Sequence, residues 1–89
     1  MDKGDIVTVL TVAGEFVGKL KGKDGDSVSL EDPRMLVQTQ QGMGFARGVC
    51  VTGEENPSQI EFMGVVFVTK TNSEVESAWR QATSGIIAP

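Results

Sequence analysis

Glu15-Phe16-Val17-Gly18-Lys19-Leu20-Lys21-Gly22-Lys23 is the stretch on which the fold turns. Its period is two. Phe16, Gly18, Leu20 and Gly22 fall on one face, Glu15, Lys19, Lys21 and Lys23 on the other, and Val17 is the one apolar exception. Such alternation marks a half-buried strand, because successive strand side chains point to opposite sides. Two glycines on the apolar face imply sharp curvature or a close approach by another backbone. A strand bent that hard belongs in a small barrel.

Working outward, Ile6 to Val12 is β-branched except for Leu10 and reads as the preceding strand. Asp24-Gly25-Asp26 is a tight-turn signal leading into Ser27–Glu31, with Val28 and Leu30 inward. Asp32-Pro33 breaks that ladder, since proline has no N–H to donate. Arg34 to Gln40 resumes as a strand, with Met35, Val37 and Thr39 alternating against Leu36 and Gln38. Gln41 to Gly44 is loop-like, Phe45 to Thr52 is a further strand candidate, and Gly53 to Ser58 is a polar turn. Ile60 to Thr69 reads as one strand rich in β-branched and aromatic residues. After Thr71 the pattern changes. Ser73 and Glu76 fit a capping box, and Val75, Ala78, Trp79 and Ala82 share a helical face, with Trp79 as the core anchor. A short helix is predicted over about residues 74–83, ended by Ser84-Gly85. The expected fold is mostly β: one domain, a small five-stranded SH3-like barrel over about residues 5–69, with a short C-terminal α-helix.

Composition narrows the function. A chain of 89 residues has a thin core, which a partner subunit would help to complete. The absence of histidine excludes Ser–His and Cys–His nucleophile pairs and any His-ligated metal. Cys50, the single cysteine, cannot form an internal disulfide or a Cys-rich zinc site. Between Val49 and Val51 it reads as a buried structural thiol. No stretch approaches the roughly 20 apolar residues that cross a bilayer, and no secretory leader is evident, so a cytoplasmic protein without membrane contact is expected. Asp24, Asp26, Glu31 and Asp32 lack the full calcium-loop pattern, and no carboxylate pair has a spacing that compels catalysis. The expectation is a non-enzymatic protein with no cofactor or metal. Its net charge of −4 weighs against generic nucleic-acid binding, which depends on neutralising phosphates.

The run Leu10-Thr11-Val12-Ala13-Gly14-Glu15-Phe16-Val17-Gly18-Lys19-Leu20 resembles the first half of the Sm/LSm motif. That family shows a leucine, a turn, then aromatic, any residue, Gly, any residue, Leu. Asp24-Gly25 matches the family's aspartate before its third strand, and Glu61 to Val66 resembles the second motif around Gly64. The resemblance covers Ile6 to Val68 and implies an Sm-like barrel that forms a homo-oligomeric ring, with RNA as ligand. Two departures stand out. Ser27 occupies the position of the family's base-reading Asn, and Met63 that of its Arg. A serine cannot reproduce two-edged amide recognition, and methionine carries no cation. The resemblance also implies that the family's helix precedes the first strand, whereas here it follows the last.

The candidate nucleic-acid-binding residues are therefore Asp24, Ser27, Met63 and Gly64, with Lys19, Lys21 and Lys23 as a basic stripe for phosphates. That stripe reads more simply as a solvated face blunting an edge strand. The polar run Gln38 to Arg47 reads as a binding loop or a variable hairpin tip. Gly64 to Val68 has no polar face, so Ile60, Phe62, Val65, Val66, Phe67 and Val68 are the candidate oligomer interface. The competing reading is that Val75 and Trp79 cover this strand within one chain. The competing function is a protein-interaction module in a larger assembly, such as a phage or bacterial complex, with no nucleic acid bound.

Overall fold

The β-branched run and the alternating run pair as antiparallel strands, β1 (Ile6–Thr11) and β2 (Gly14–Asp24), in register from Ile6↔Lys19 to Thr11↔Gly14. The computed structural model describes residues 1–46, 48–50 and 52–83. Beyond β2 lie β3 (Ser27–Thr39), β4 (Gly42–Phe45), β5 (Gln59–Phe62), β6 (Phe67–Lys70) and helix α1 (Ser73–Thr83). The sheet path runs β4-β3-β2-β1-β6, and β5 also pairs with β3. Every ladder is antiparallel. The fold is mostly β with one short C-terminal helix.

Among the described residues six strands stand where five are expected, and no ladder joins β5 to β6. The extra strand arises because the single strand expected over Ile60 to Thr69 is divided into β5 and β6. The expected loop Gln41 to Gly44 supplies most of β4, which folds back on the end of β3 through a tight turn at Gln40-Gln41. The strand expected over Phe45 to Thr52 ends at Phe45, and Gly48 to Cys50 is irregular. Arg47 and Val51 lie outside the described residues, as does the Ser84-Gly85 helix stop.

Asp32-Pro33 does not end β3. It bends it. Opposite Val17 to Lys19, the partners run from Arg34 to Glu31, so β3 carries one residue too many and bulges at Asp32-Pro33. Asp32 takes φ 49°, rare for a residue with a side chain, and Pro33 behind it is fully buried. A second bulge of opposite sense lies between Leu20 and Gly22, where Lys21 is the extra residue on β2.

These bends fold the sheet over its own core. Phe62 stands opposite Val28, and Val28 opposite Lys23. In a flat sheet Phe16, seven residues earlier on β2, would be displaced along the strand by about 23 Å. Instead the Phe16 and Phe62 rings lie 4.7 Å apart between centroids. Val7, Val9, Phe16, Leu20, Val28, Leu30 and Phe62 form this inner core. Gly18 is required inside it, because a Cβ there would stand 3.0 Å from the Glu31 carbonyl oxygen and from the Leu30 Cβ.

A second apolar layer occupies the outer face. Ile6, Val17 and Trp79 cluster there with Phe45 and Val75 packed against them. Val17 is thus no exception to the alternation; it faces α1. The Trp79 indole N–H donates to the Asp32 carbonyl at 2.9 Å, fastening the helix to the bulge. Thr8 and Thr71 hydroxyls meet at 2.8 Å in a buried pair. The helix cap differs from the capping box expected at Ser73. Asn72 Oδ1 accepts from the Val75 N–H at 2.9 Å, and Glu76 pairs with Arg80 instead of reaching back. Ala78 and Ala82, placed on the buried face by the helical pattern, are exposed.

Candidate functional site

The stretch Ile60 to Thr69 is split in two by Met63–Val66, and this crossing is the chemically distinctive part of the chain. Gly64 sits at φ +69°, a conformation that side chains resist, and turns the backbone out of β5. The next two N–H groups then bond to different strands. Val65 donates to the Asp26 carbonyl at 3.0 Å, at the β2–β3 turn, and Val66 to the Leu10 carbonyl at 2.8 Å, on β1. The chain thereby passes from the β3 side of the sheet to the β1 side.

That route decides which apolar residues are covered. Phe62 is buried in the core, and Ile60, Val65 and Val68 pack against it. Met63, Val66 and Phe67 are left 77%, 61% and 51% exposed. Val12, at the tip beyond Leu10, is also exposed, and Leu10 is the ladder partner of Phe67. The helix does not cover this patch; Trp79 packs on Ile6 and Val17 instead. Of the six expected interface residues, Val66 and Phe67 are the ones that face solvent, and Met63 joins them. The outer edges of β5 and β6 have no ladder partner among the described residues. Unpaired edges beside exposed apolar side chains favour strand addition by another chain.

The candidate base-pocket residues do come together. Asp24 and Ser27 pair across the β2–β3 turn, Val28 pairs with Phe62 just before Met63, and Val65 after Gly64 bonds to Asp26. Their chemistry is acidic. The Ser27 hydroxyl donates to Glu61 Oε2 at 2.6 Å, so its donor is already committed to a carboxylate.

The lysines do not form a stripe. Lys19 stands opposite Glu31 on the outer face; Lys21 is the bulged residue, donating to Gln59 Oε1 at 3.0 Å; Lys23 falls opposite the inward-facing Val28. A one-residue bulge moves everything beyond it to the other face. Gly22 likewise leaves the face of Phe16, Gly18 and Leu20. Cys50, expected to be buried, is exposed.

Sequence reading misses one feature altogether. Leu36, Met43, Phe45, Glu74, Val75 and Ala78 line an apolar groove of about 320 Å³ between the β3–β4 hairpin and α1. The alternation of Leu36 against Met35 is the signal that could have found it, had the strand at Met43 been recognised. Among the described residues no group of acidic or cysteine side chains is arranged to hold a metal, and no helix is long and apolar enough to cross a membrane. Comparison with known proteins finds no matching family model, no matching curated protein and no matching solved structure.

Proposed function

We propose that this chain is a divergent Sm-like small barrel, not an enzyme, whose copies join edge to edge into a homo-oligomeric ring that serves as a scaffold. One observation carries the reading: Met63, Val66 and Phe67 lie in water beside the edges of β5 and β6 that have no ladder partner among the described residues. Water contact over this much apolar surface is unfavourable, by about 25 cal/mol per Å², and a neighbouring copy removes it. The Sm-like reading draws support from Gly18 and Gly64, the glycines that carry the resemblance, each occupying a position where a side chain is strained or has no room. Light scattering at micromolar concentration tests it. A multiple of the 9.5 kDa chain mass is expected, and a clean monomer overturns it.

RNA is the family's implied ligand, but the local chemistry favours an altered pocket. Glu61 holds the Ser27 hydroxyl, Met63 offers no charge, and the lysines are dispersed. The ring in this reading contacts RNA at most through phosphates, and its main partner is itself. Mobility shift with U-rich and A-rich oligonucleotides at two salt concentrations separates the cases. A base-dependent shift that survives the higher salt would restore a base-reading pocket; a weak, base-independent and salt-sensitive shift fits phosphate contact alone. Absence of any shift, with a protein-like 260/280 nm ratio, leaves the protein-interaction module as the role of the assembly.

A further inference from the structure

We propose that the groove between the β3–β4 hairpin and α1 receives Phe67 of a second copy, so that the contact between copies is a plugged joint as well as a strand edge. The inference rests on the self-association proposed above and names its other half. Phe67 stands opposite Leu10, whose neighbour Val9 points into the core, so Phe67 lies on the outer face of the sheet. The groove lies on that same outer face, floored by Leu36 and Phe45 beside the helix residues Val75 and Ala78. The two features occupy opposite ends of one sheet path, β6 at one end and β4 at the other.

Edge contact between different ends of two copies is head-to-tail, and it juxtaposes the outer face of β6 with the outer face of β4. Area demands more than the edge. A stable interface buries about 800 Å² per partner, roughly an eighth of the 6002 Å² surface of this chain. β6 is four residues, an edge about 13 Å long. That edge is too short to supply the area, whereas the half-exposed Phe67 ring and the apolar groove together add to it. The charges are complementary as well: the charged residue of β6 is the cation Lys70, and the one charged residue lining the groove is the anion Glu74.

Cross-linking with a short bis-maleimide tests the joint, in a Cys50→Ser background that removes the native thiol. Phe67→Cys and Ala78→Cys are made singly, both at exposed positions, and circular dichroism verifies the fold. Mixed in equal amounts, the two variants are expected to give covalent dimers at least fivefold more readily than either alone. An assembled sample in which the mixture shows no such gain overturns the plugged joint and leaves self-association standing. So does a Phe67→Cys sample that cross-links to itself as readily, since that describes a two-fold contact. A sample that is monomeric before any cross-linker is added overturns both. In a separate arm, Met43→Glu is expected to weaken assembly at least tenfold with the fold intact; unchanged assembly counts against the groove.

Discussion

Two apolar regions of this chain meet opposite fates. Ile6, Val17 and Trp79 are sealed under α1, with Trp79 only 3% exposed and its indole N–H bonded to Asp32. Met63, Val66 and Phe67, on and beside β6, stay in water. Composition does not separate them. Direction does. Asn72 caps the helix two residues after β6 ends, and α1 then runs back over β1, β2 and the bulge in β3, away from the crossing. Burying an aromatic side chain of 150–250 Å² contributes about 4–6 kcal/mol. Trp79 gains this on the outer face, whereas Met63, Val66 and Phe67 do not.

The comparison is broken most severely at Trp79. Trp79→Ala is expected to lose about 3–5 kcal/mol, by the lost contacts and the cavity left behind. For a domain of this size that is a large share of its total stability. Urea denaturation measures it; a loss under 1 kcal/mol would mean the helix is not the seal described. Gly18→Ala tests the core beneath. With a Cβ 3.0 Å from Leu30 and from the Glu31 carbonyl, crowding is expected to cost about 1–3 kcal/mol. A neutral result would show that the strands can part there.

Smaller effects sharpen the contrast. Asn72→Ala removes the side chain that caps α1 and is expected to cost about 1 kcal/mol, whereas Ser73→Ala costs less, since Ser73 is not the cap. Equal losses would restore Ser73 to the role. Phe67→Ser is expected to leave the stability of the isolated chain within about 0.5 kcal/mol, because the ring is half exposed. Its effect is on association, read by sedimentation over a concentration series. A large stability loss would mean that Phe67 is part of the core of its own chain.

Much of this was legible in the sequence, and the failures have physical causes. β-branched content marks β1, which is buried on both faces, and period-two alternation marks β2 and the start of β3. It went astray at Lys21, where one extra residue exchanges the faces and scatters the lysines. Neither bulge has a local signature strong enough to read. Asp32-Pro33 looks like a strand end because proline cannot complete a ladder, yet a bulge absorbs it. In the apolar run Gly64–Val68, Val66 and Phe67 are exposed while Val65 and Val68 pack against the core. Which of its residues point outward depends on hydrogen bonds to Asp26 and Leu10, fixed only in three dimensions. Met43 reads as loop because β4 is rich in glycine, so its place beside Phe45 is hidden in the sequence.

The β1–β6 ladder also has a consequence in time. Val9 pairs with Val68, so the outer edge of β1 must wait for about sixty further residues to be made. At about 5–20 residues per second that wait is roughly 3–12 s. The β1–β2 hairpin forms within microseconds and then stands open on one side. Until β6 arrives, that edge of β1 has no partner within its own chain, and the slower the intervening residues are made, the longer the open edge persists.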